Sequence, residues 1–387
     1  MNAKTYQLSS VTLAALLIAG CASKPSDQPL PSDTLARQPP TSTGPETSAT
    51  IPRHPLPPNS VGGYFASFVT GDYAGYPALE RFIERMVTRH GFSREYLNGL
   101  FSRAERQQWT IEYMNREAPT VKPRPGAWSR YRAKFLTEQH ISKGAAFWRR
   151  YASALERAGD RFGVPPEYVI GIMGVETIYG SNVGKDRVLD ALTTLAFDYP
   201  RRADYFSEEL ENFLLMTRAE RIDPSAPAGS FAGAMGLGQF MPGSFLQWAV
   251  DFDGDGRKDL WQPVDAVGSI ANYFSQHGWQ PGGWVVTPAS AVDTRAEALE
   301  SGFDTRYSLD TLADHGVRPA APFRGERNGP VRLLRLSAND GDEYWLGFQN
   351  FYVITRYNHS THYAMAVHQL AQAVKNRYLS TVSAMRD

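Results

Sequence analysis

The amino-acid sequence predicts a mainly α protein, a helical core interrupted by one small α/β insertion. Three observations predict it. From Tyr64 onward, apolar residues recur at the three- and four-residue spacing of helices, and they do so again from His362 to Tyr378. Between about Trp284 and Leu346 the pattern changes. Trp284-Val285-Val286, Val331 to Leu336 and Tyr344-Trp345-Leu346 read as strands, with Gly and Asn-Asp-Gly turns between them. Ahead of Tyr64 the chain carries neither pattern. No internal repeat is visible.

The first twenty residues read as a secretion signal. Lys4 precedes an apolar run from Val11 to Ala19, and about nine apolar residues fall far short of the ~20 that span a bilayer. The run closes on Leu17-Ile18-Ala19-Gly20-Cys21, small residues before the single cysteine of the chain. One cysteine makes no intrachain disulfide and excludes zinc patterns built on Cys pairs. The segment resembles a bacterial lipobox, in which Cys21 becomes the lipidated first residue; the alternative is a core cysteine that happens to follow a signal. Ala22 follows rather than Asp. By resemblance to such lipoproteins this places the protein at the outer membrane, lipid-anchored and facing the periplasm.

Residues 21–60 form the lipidated cysteine and its tether. Roughly ten prolines fall between Ala22 and Ser60 among Ser, Thr and Gln, too little apolar surface to offset the entropy of ordering. A typical reach of ~35 Å, and ~120 Å at full extension, would let a domain on that leash work a polymer lying below its membrane.

After the tether come a helical unit over 61–127, a core over 128–283, the insertion over 284–347 and a return to the core over 348–387. Leu79, Phe82, Ile83, Met86 and Val87 mark a helix that stops at Gly91, and a Pro-broken stretch from Pro119 to Pro125 ends the first unit. Helical spacing resumes through Phe147, Trp148, Tyr151 and Leu155. Lys and Arg together number 40, as do Asp and Glu, so the zero net charge gives no basic stripe for nucleic acid. Aromatics at 12% suit sugar stacking and a large packed core alike.

Two segments carry chemistry. Pro165 to Gly180 reads as one helix of about four turns, framed by Pro at its start and Gly at its end. Val169, Met173 and Glu176 share a face at i, i+4 and i+7, which sets Glu176 on the apolar side. A carboxyl there is desolvated and stays protonated near neutrality, as a general acid for a glycosidic oxygen must; the other reading is a buried glutamate with a structural partner. The second segment is Asp251-Phe252-Asp253-Gly254-Asp255-Gly256-Arg257-Lys258-Asp259. Acids at positions 1, 3 and 5 with Gly at 6 match an EF-hand loop, where a carbonyl at position 7 completes the calcium shell. Helical patterns on both sides favour that over an Asp/Gly surface turn. Position 8 is Lys258, and position 12 is Gln262 instead of the bidentate Glu, with Asp265 available as substitute.

Weaker signals end there. Gly233-Ala234-Met235-Gly236-Leu237-Gly238 has no preceding strand and reads as a tight functional turn rather than a nucleotide loop. His359 and His362 lack an evident third metal ligand. Asn358-His359-Ser360 fits a glycosylation pattern that a bacterial lipoprotein would not use.

Four motifs in order carry a family resemblance: Gly174-Val175-Glu176-Thr177-Ile178-Tyr179-Gly180, Gly233 to Pro242, Asp251 to Gly256, and Asn350 to Ser360. With them the chain resembles the third family of lytic transglycosylases, the membrane-bound lytic murein transglycosylase B family, over most of Tyr64 to Tyr378. The resemblance implies a lysozyme-like helical core with an additional helical domain and a small inserted α/β domain. It implies cleavage of the β-1,4 bond between N-acetylmuramic acid and N-acetylglucosamine in peptidoglycan glycan strands, with 1,6-anhydromuramic acid ends and no hydrolysis. Glu176 would be the catalytic acid and base, assisted by the substrate's own 2-acetamido oxygen. Sugar contacts would fall on Tyr131, Ser230, Gln239, Tyr273, Tyr357, Asn358 and Tyr363. Structural calcium would sit on Asp251, Asp253, Asp255, the Arg257 carbonyl and Asp265 within a loop over 251–265, and no catalytic cofactor is implied. The rival readings are a hydrolytic muramidase, which needs a second, water-positioning carboxylate, and a non-catalytic peptidoglycan-binding lipoprotein.

Overall fold

Proline starts and left-handed stops set many of the helix boundaries. The computed structural model describes residues 61–116, 125–292, 294–320 and 329–384; Cys21, the tether and most of the Pro119–Pro125 stretch lie outside them. Helix α1 (Pro77–His90) begins on its proline and ends at Gly91, whose φ of 67° is the left-handed cap the sequence predicts. In α2 (Arg94–Phe101) the Ser93 hydroxyl accepts from the Tyr96 N–H, and α3 (Gln108–Arg116) and the short α4 (Ala127–Arg132) follow. The periodic run through Phe147 and Leu155 is two helices. Tyr151, at φ −115° and ψ 25°, separates α5 (Glu138–Arg150) from α6 (Ala152–Phe162).

Next comes α7 (Pro166–Thr177), the centre of the molecule. It packs against α5, α6 and two later helices, α11 (Pro263–Gln276) and α14 (Thr361–Ala384). Every residue from Glu167 to Val175 is buried. The helix therefore has no solvent face from which an apolar side could be told apart, and here the structure departs from the sequence reading. Its glycines make the crowding possible: a Cβ on Gly171 would stand 2.7 Å from the Val367 carbonyl oxygen of α14, closer than such atoms approach.

Between α7 and α11 lie β1 (Asp186–Arg187), α8 (Val188–Asp198), α9 (Ala203–Ala219), β2 (Ala228–Gly229) and α10 (Pro242–Trp248). The two short strands pair antiparallel, Asp186 opposite Gly229. One hydrophobic cluster runs from Tyr64 in the first segment to Val374 in α14.

After α11 the chain builds an antiparallel sheet from β3 (Val286–Ala291), β4 (Val317–Pro319), β5 (Arg332–Ala338) and β6 (Gly341–Gly347), with α12 (Leu309–Asp314) between β3 and β4. The strand order is β4-β3-β6-β5, with Leu333 opposite Leu346. These two leucines join Ala296, Leu312, Val317 and Val331 in a small apolar cluster of the sheet's own. The β5–β6 hairpin is fastened to α4. Glu343 accepts from Trp128 Nε1 at 3.1 Å and from Arg132 at 3.0 Å, and the Asn339 N–H donates to Ser129 Oγ at 3.0 Å. α13 (Gln349–Tyr357) then returns the chain to the core. The architecture is the mainly α core with a small inserted sheet that the sequence predicts. Among the described residues no helix is long and apolar enough to cross a membrane.

Candidate active site

The last turn of α7 leaves one residue partly accessible, Glu176. Protein atoms surround its carboxyl all the same, and that burial pushes its pKa up to about 7. The opposing influence is one hydrogen bond. Tyr363, in the first turn of α14 and 187 residues further on, donates its hydroxyl to Glu176 Oε1 at 2.5 Å. Tyr131 from α4 and Tyr357 from the end of α13 also feel the Glu176 charge. Burial first, and that charge second, raise both phenols above their ordinary range. Three neutral tyrosines thus ring one carboxyl. No carboxylate acts on Glu176 among the described residues.

Just beyond Glu176 the backbone is strained. Ile178 and Tyr179 hold φ of 51° and 57°, left-handed values that cost a β-branched or bulky residue most. Thr177 offsets the strain. Its hydroxyl donates to the Met173 and Leu237 carbonyls at 3.2 and 3.0 Å and accepts from the Gly180 N–H at 3.1 Å.

Leu237 belongs to the glycine-rich turn, which is a buried, doubly braced loop. Ser230 Oγ accepts from the Ala232 and Ala234 N–H groups at 3.3 and 3.0 Å, and Met235 and Phe240 exchange backbone hydrogen bonds at 2.9 and 3.0 Å. Gln239 sits at φ 52° with Nε2 donated to the Gly236 and Val183 carbonyls at 2.9 and 3.1 Å. Its Oε1 meets no side-chain or backbone donor among the described residues. Tyr357 donates to the Gly238 carbonyl at 2.5 Å, tying α13 to the same loop.

The seven sugar-contact candidates therefore take different places. Tyr131, Tyr357 and Tyr363 surround Glu176, and Gln239 is joined to Tyr357 through the loop. Tyr273 stands behind: its hydroxyl is given to the Arg356 carbonyl at 2.5 Å and its ring lies 4.8 Å from that of Tyr357. Ser230 spends its oxygen on the loop backbone. Asn358 Oδ1 is buried with no protein partner among the described residues, an unmet acceptor beside Tyr357. His362 does not meet His359. It lies 5.6 Å from both Trp128 and Tyr131, and burial holds its pKa down, whereas His359 packs on Phe303.

A cavity of about 690 Å³ opens alongside, lined by Trp109, Tyr113, Asn182, Lys185, Ser230 and Phe231 among others, within the size range of ligand sites. Phe231 lies 5.9 Å from Trp109 and 4.7 Å from Tyr113. The sequence reading missed these rings. The i, i+4 spacing of Trp109 and Tyr113 on α3 is a local signal for that pair, whereas Phe231, far along the chain, has none.

The acidic loop lies outside this cavity. One carboxylate oxygen from each of Asp251, Asp253 and Asp265 lies within 4.8 Å of the others, which suits one ion at Ca–O distances of 2.3–2.6 Å. Gly256, at position six, has the φ of 90° that the turn needs. Asp265 is buried in the first turn of α11 and accepts from the N–H groups of Phe252, Asp253 and Asp259 at 2.7, 3.1 and 2.9 Å. Gln262, at position 12, caps α11 and donates to Asp253 Oδ2 at 2.5 Å. Asp255 stands outside the converging group, exposed, and accepts from the Arg257 N–H at 2.9 Å.

Residues 75–372 match the family described as Transglycosylase SLT domain. The chain is 48% identical over 373 residues to membrane-bound lytic murein transglycosylase B of Escherichia coli strain K12, covering 94% of this chain and 97% of that one. Among solved structures it is similar to the Escherichia coli lytic transglycosylase Slt35 in complex with calcium: 51% identity, TM-score 0.76, 81% of this chain and 97% of that one. SltB3 of Pseudomonas aeruginosa in complex with NAG-anhNAM-pentapeptide matches at 27% identity and TM-score 0.67, over 77% of this chain and 79% of that one.

The Glu176 carboxyl keeps its proton at pH values where an ordinary glutamate has lost it, and the acid form disappears as pH rises through about 7. Tyr363→Phe removes the one hydrogen bond that favours the carboxylate. The midpoint should then rise by about one to two pH units, read from the carboxyl carbon resonance across a pH titration. A lower or unchanged midpoint would show that the phenol does not hold the charge.

Proposed function

This chain belongs to the Transglycosylase SLT domain family, and on that footing we propose that Glu176 is its one catalytic carboxyl, serving first as acid and then as base. The protein is a lytic transglycosylase of peptidoglycan. It cleaves the β-1,4 bond between N-acetylmuramic acid and N-acetylglucosamine and leaves 1,6-anhydromuramic acid ends without adding water.

The observation that carries the proposal is a carboxyl with no second carboxylate acting on it among the described residues, desolvated to a pKa of about 7. Hydrolytic glycosidases commonly need two carboxyl groups, the second to activate water or attack the sugar. Here the substrate supplies what the second would. Glu176 gives its proton to the leaving oxygen as the anomeric C–O bond breaks, and the 2-acetamido oxygen stabilises the positive charge left on the anomeric carbon. The Glu176 carboxylate then takes the proton of the muramic acid 6-hydroxyl. That oxygen closes on the anomeric carbon, and Glu176 is protonated again. Tyr363 can stabilise the intermediate carboxylate through the hydrogen bond it already makes. Tyr131, Tyr357, the Gln239 Oε1 and the Asn358 Oδ1 hold the sugar in register, where positioning contributes much of the rate. Ser230 and Tyr273 act by fixing the loop and Tyr357.

The acidic loop holds a structural calcium ion on Asp251, Asp253 and Asp265, and the related Slt35 was solved with calcium. Asp255 and the Arg257 carbonyl would complete the shell on binding. The protein is membrane-associated on the periplasmic side. Its attachment is the lipid on Cys21, and its membrane the outer one.

Glu176→Gln keeps the shape but can neither give nor regain an acidic proton. Turnover of purified cell wall should fall by ~10²–10⁴-fold while glycan strands still bind; near-normal turnover would remove Glu176 from the mechanism. Chelation should lower the Tm by on the order of 5 °C, since a ligand at a hundredfold excess over Kd stabilises by about 2.7 kcal/mol. Calcium should restore it, and Asp251→Ala should abolish the response. Identical melts with and without chelator would dispose of the ion. Cys21→Ser should move the protein from the membrane to the soluble fraction with activity intact, and persistent membrane association would mean another attachment.

A further inference from the structure

Large apolar side chains exposed to water are few among the described residues, and they are unevenly placed. Seven stand exposed, and three of them, Val61, Phe65 and Phe68, fall within eight consecutive residues ahead of α1. Phe65 and Phe68 are 77% and 69% exposed, whereas every other described phenylalanine is buried or half-buried. The backbone gives these two no way inward. The Ala66 N–H donates to the Glu95 carbonyl at 3.0 Å, Asn98 Nδ2 to the Ser67 carbonyl at 3.0 Å, and the Thr70 N–H to Ser102 Oγ at 2.8 Å. The segment crosses α2 so closely that a Cβ on Gly99 would stand 2.3 Å from the Phe65 nitrogen. Tyr64 and Val69 take the buried positions of the segment, and Phe65 and Phe68 are held in water.

Size, charge and position say what such a patch meets. At ~150–250 Å² for a fully buried aromatic side chain, the three residues present on the order of 350 Å². That is well under the ~800 Å² per partner of a stable protein interface, too little to hold a second copy of this chain. A bilayer interface sets no such threshold, since it takes up apolar side chains one at a time. No residue from Val61 to Gly71 is charged, so nothing on the segment itself opposes entry into an apolar layer. Val61 also directly follows residues 21–60, read above as the tether. The chain that comes from the lipid therefore enters the domain at this patch.

We propose that Val61, Phe65 and Phe68 form a membrane-contact patch that seats the domain on the bilayer surface holding its anchor. The inference rests on the lipid-anchor reading, because a tether keeps the domain at an effective concentration on the order of millimolar near that surface. A contact of two phenylalanines is then populated. By itself it would not retain an unlipidated chain on the membrane through fractionation. Seated in this way, the domain takes one orientation to the membrane instead of turning freely on its leash.

The test uses the full, lipidated chain on vesicles of phosphatidylethanolamine and phosphatidylglycerol. Ser67 is exposed between the two rings, and Ser67→Cys gives a thiol there for a polarity-sensitive fluorophore. Cys21, carrying lipid, does not compete for the label. A second protein is labelled at Val292→Cys, 70% exposed just after β3. On vesicles the label at 67 should shift to shorter wavelength and be quenched by brominated acyl chains, and the label at 292 should stay as it is in water. Burying one phenylalanine moves a partition equilibrium about tenfold or more. Phe65→Ser with Phe68→Ser should therefore weaken seating at least tenfold, while turnover of detached glycan strands stays within about twofold of wild type. Phe65→Leu with Phe68→Leu should keep most of the seating. A water-like label at 67 on vesicles, an equal response at 67 and 292, or a response that survives the serine pair would overturn the patch. So would a shift that grows with protein concentration without vesicles, which would mean a second copy. A Cys21 that carries no lipid would instead overturn the anchor reading, and the Cys21→Ser chain at high vesicle concentration would then decide the patch by the same label.

Discussion

The hydrogen bond from Tyr363 to Glu176 joins the first turn of α14 to the last turn of α7, and much of the structure serves to make it possible. The two helices must approach until their backbones nearly touch, which is why Gly171 faces the Val367 carbonyl and a side chain there would collide. The same closeness surrounds the Glu176 carboxyl with protein. Burial, the larger influence, favours the acid and the phenol favours the carboxylate, the two states that the proposed acid-and-base role would use in turn. A more exposed helix end would yield an ordinary glutamate, ionised and useless as an acid at neutral pH.

Position is held by a second chain of contacts that reaches the acidic loop. The Thr177 hydroxyl, next to Glu176, donates to the Leu237 carbonyl; the Leu237 N–H donates to the Leu260 carbonyl at 2.8 Å. Leu260 follows Asp259, whose N–H is held by Asp265. An ion drawing Asp251, Asp253 and Asp265 together would thus brace the end of α7 through these hydrogen bonds, at a distance from the Glu176 carboxyl. The strain at Ile178 and Tyr179 sits within this bracing, where surrounding hydrogen bonds can maintain it. The sheet contributes in a similar way, since its Glu343 anchors α4 and with it Tyr131.

What the sequence by itself determined is whatever short-range physics encodes. Pro at a helix start, Gly91 at a helix end, the Asp-x-Asp-x-Asp-Gly spacing and the change from helical to alternating texture all act within a few residues, and the structure holds each of them. Glu176 was also legible, although for an incomplete reason: its pKa follows from a helix buried on all sides rather than from one apolar face. Tertiary structure alone decided which aromatic rings meet the carboxyl. Tyr131, Tyr357 and Tyr363 come from three different helices. No local rule separates them from Tyr273, which packs behind Tyr357, or could foresee that Trp109 and Phe231 share a cavity wall. Nor could it show that Asp255 stays exposed while Asp265 is drawn under the loop. Spacing along a chain fixes which side of an element a residue occupies; which residues of other elements lie opposite is fixed only when the helices have packed.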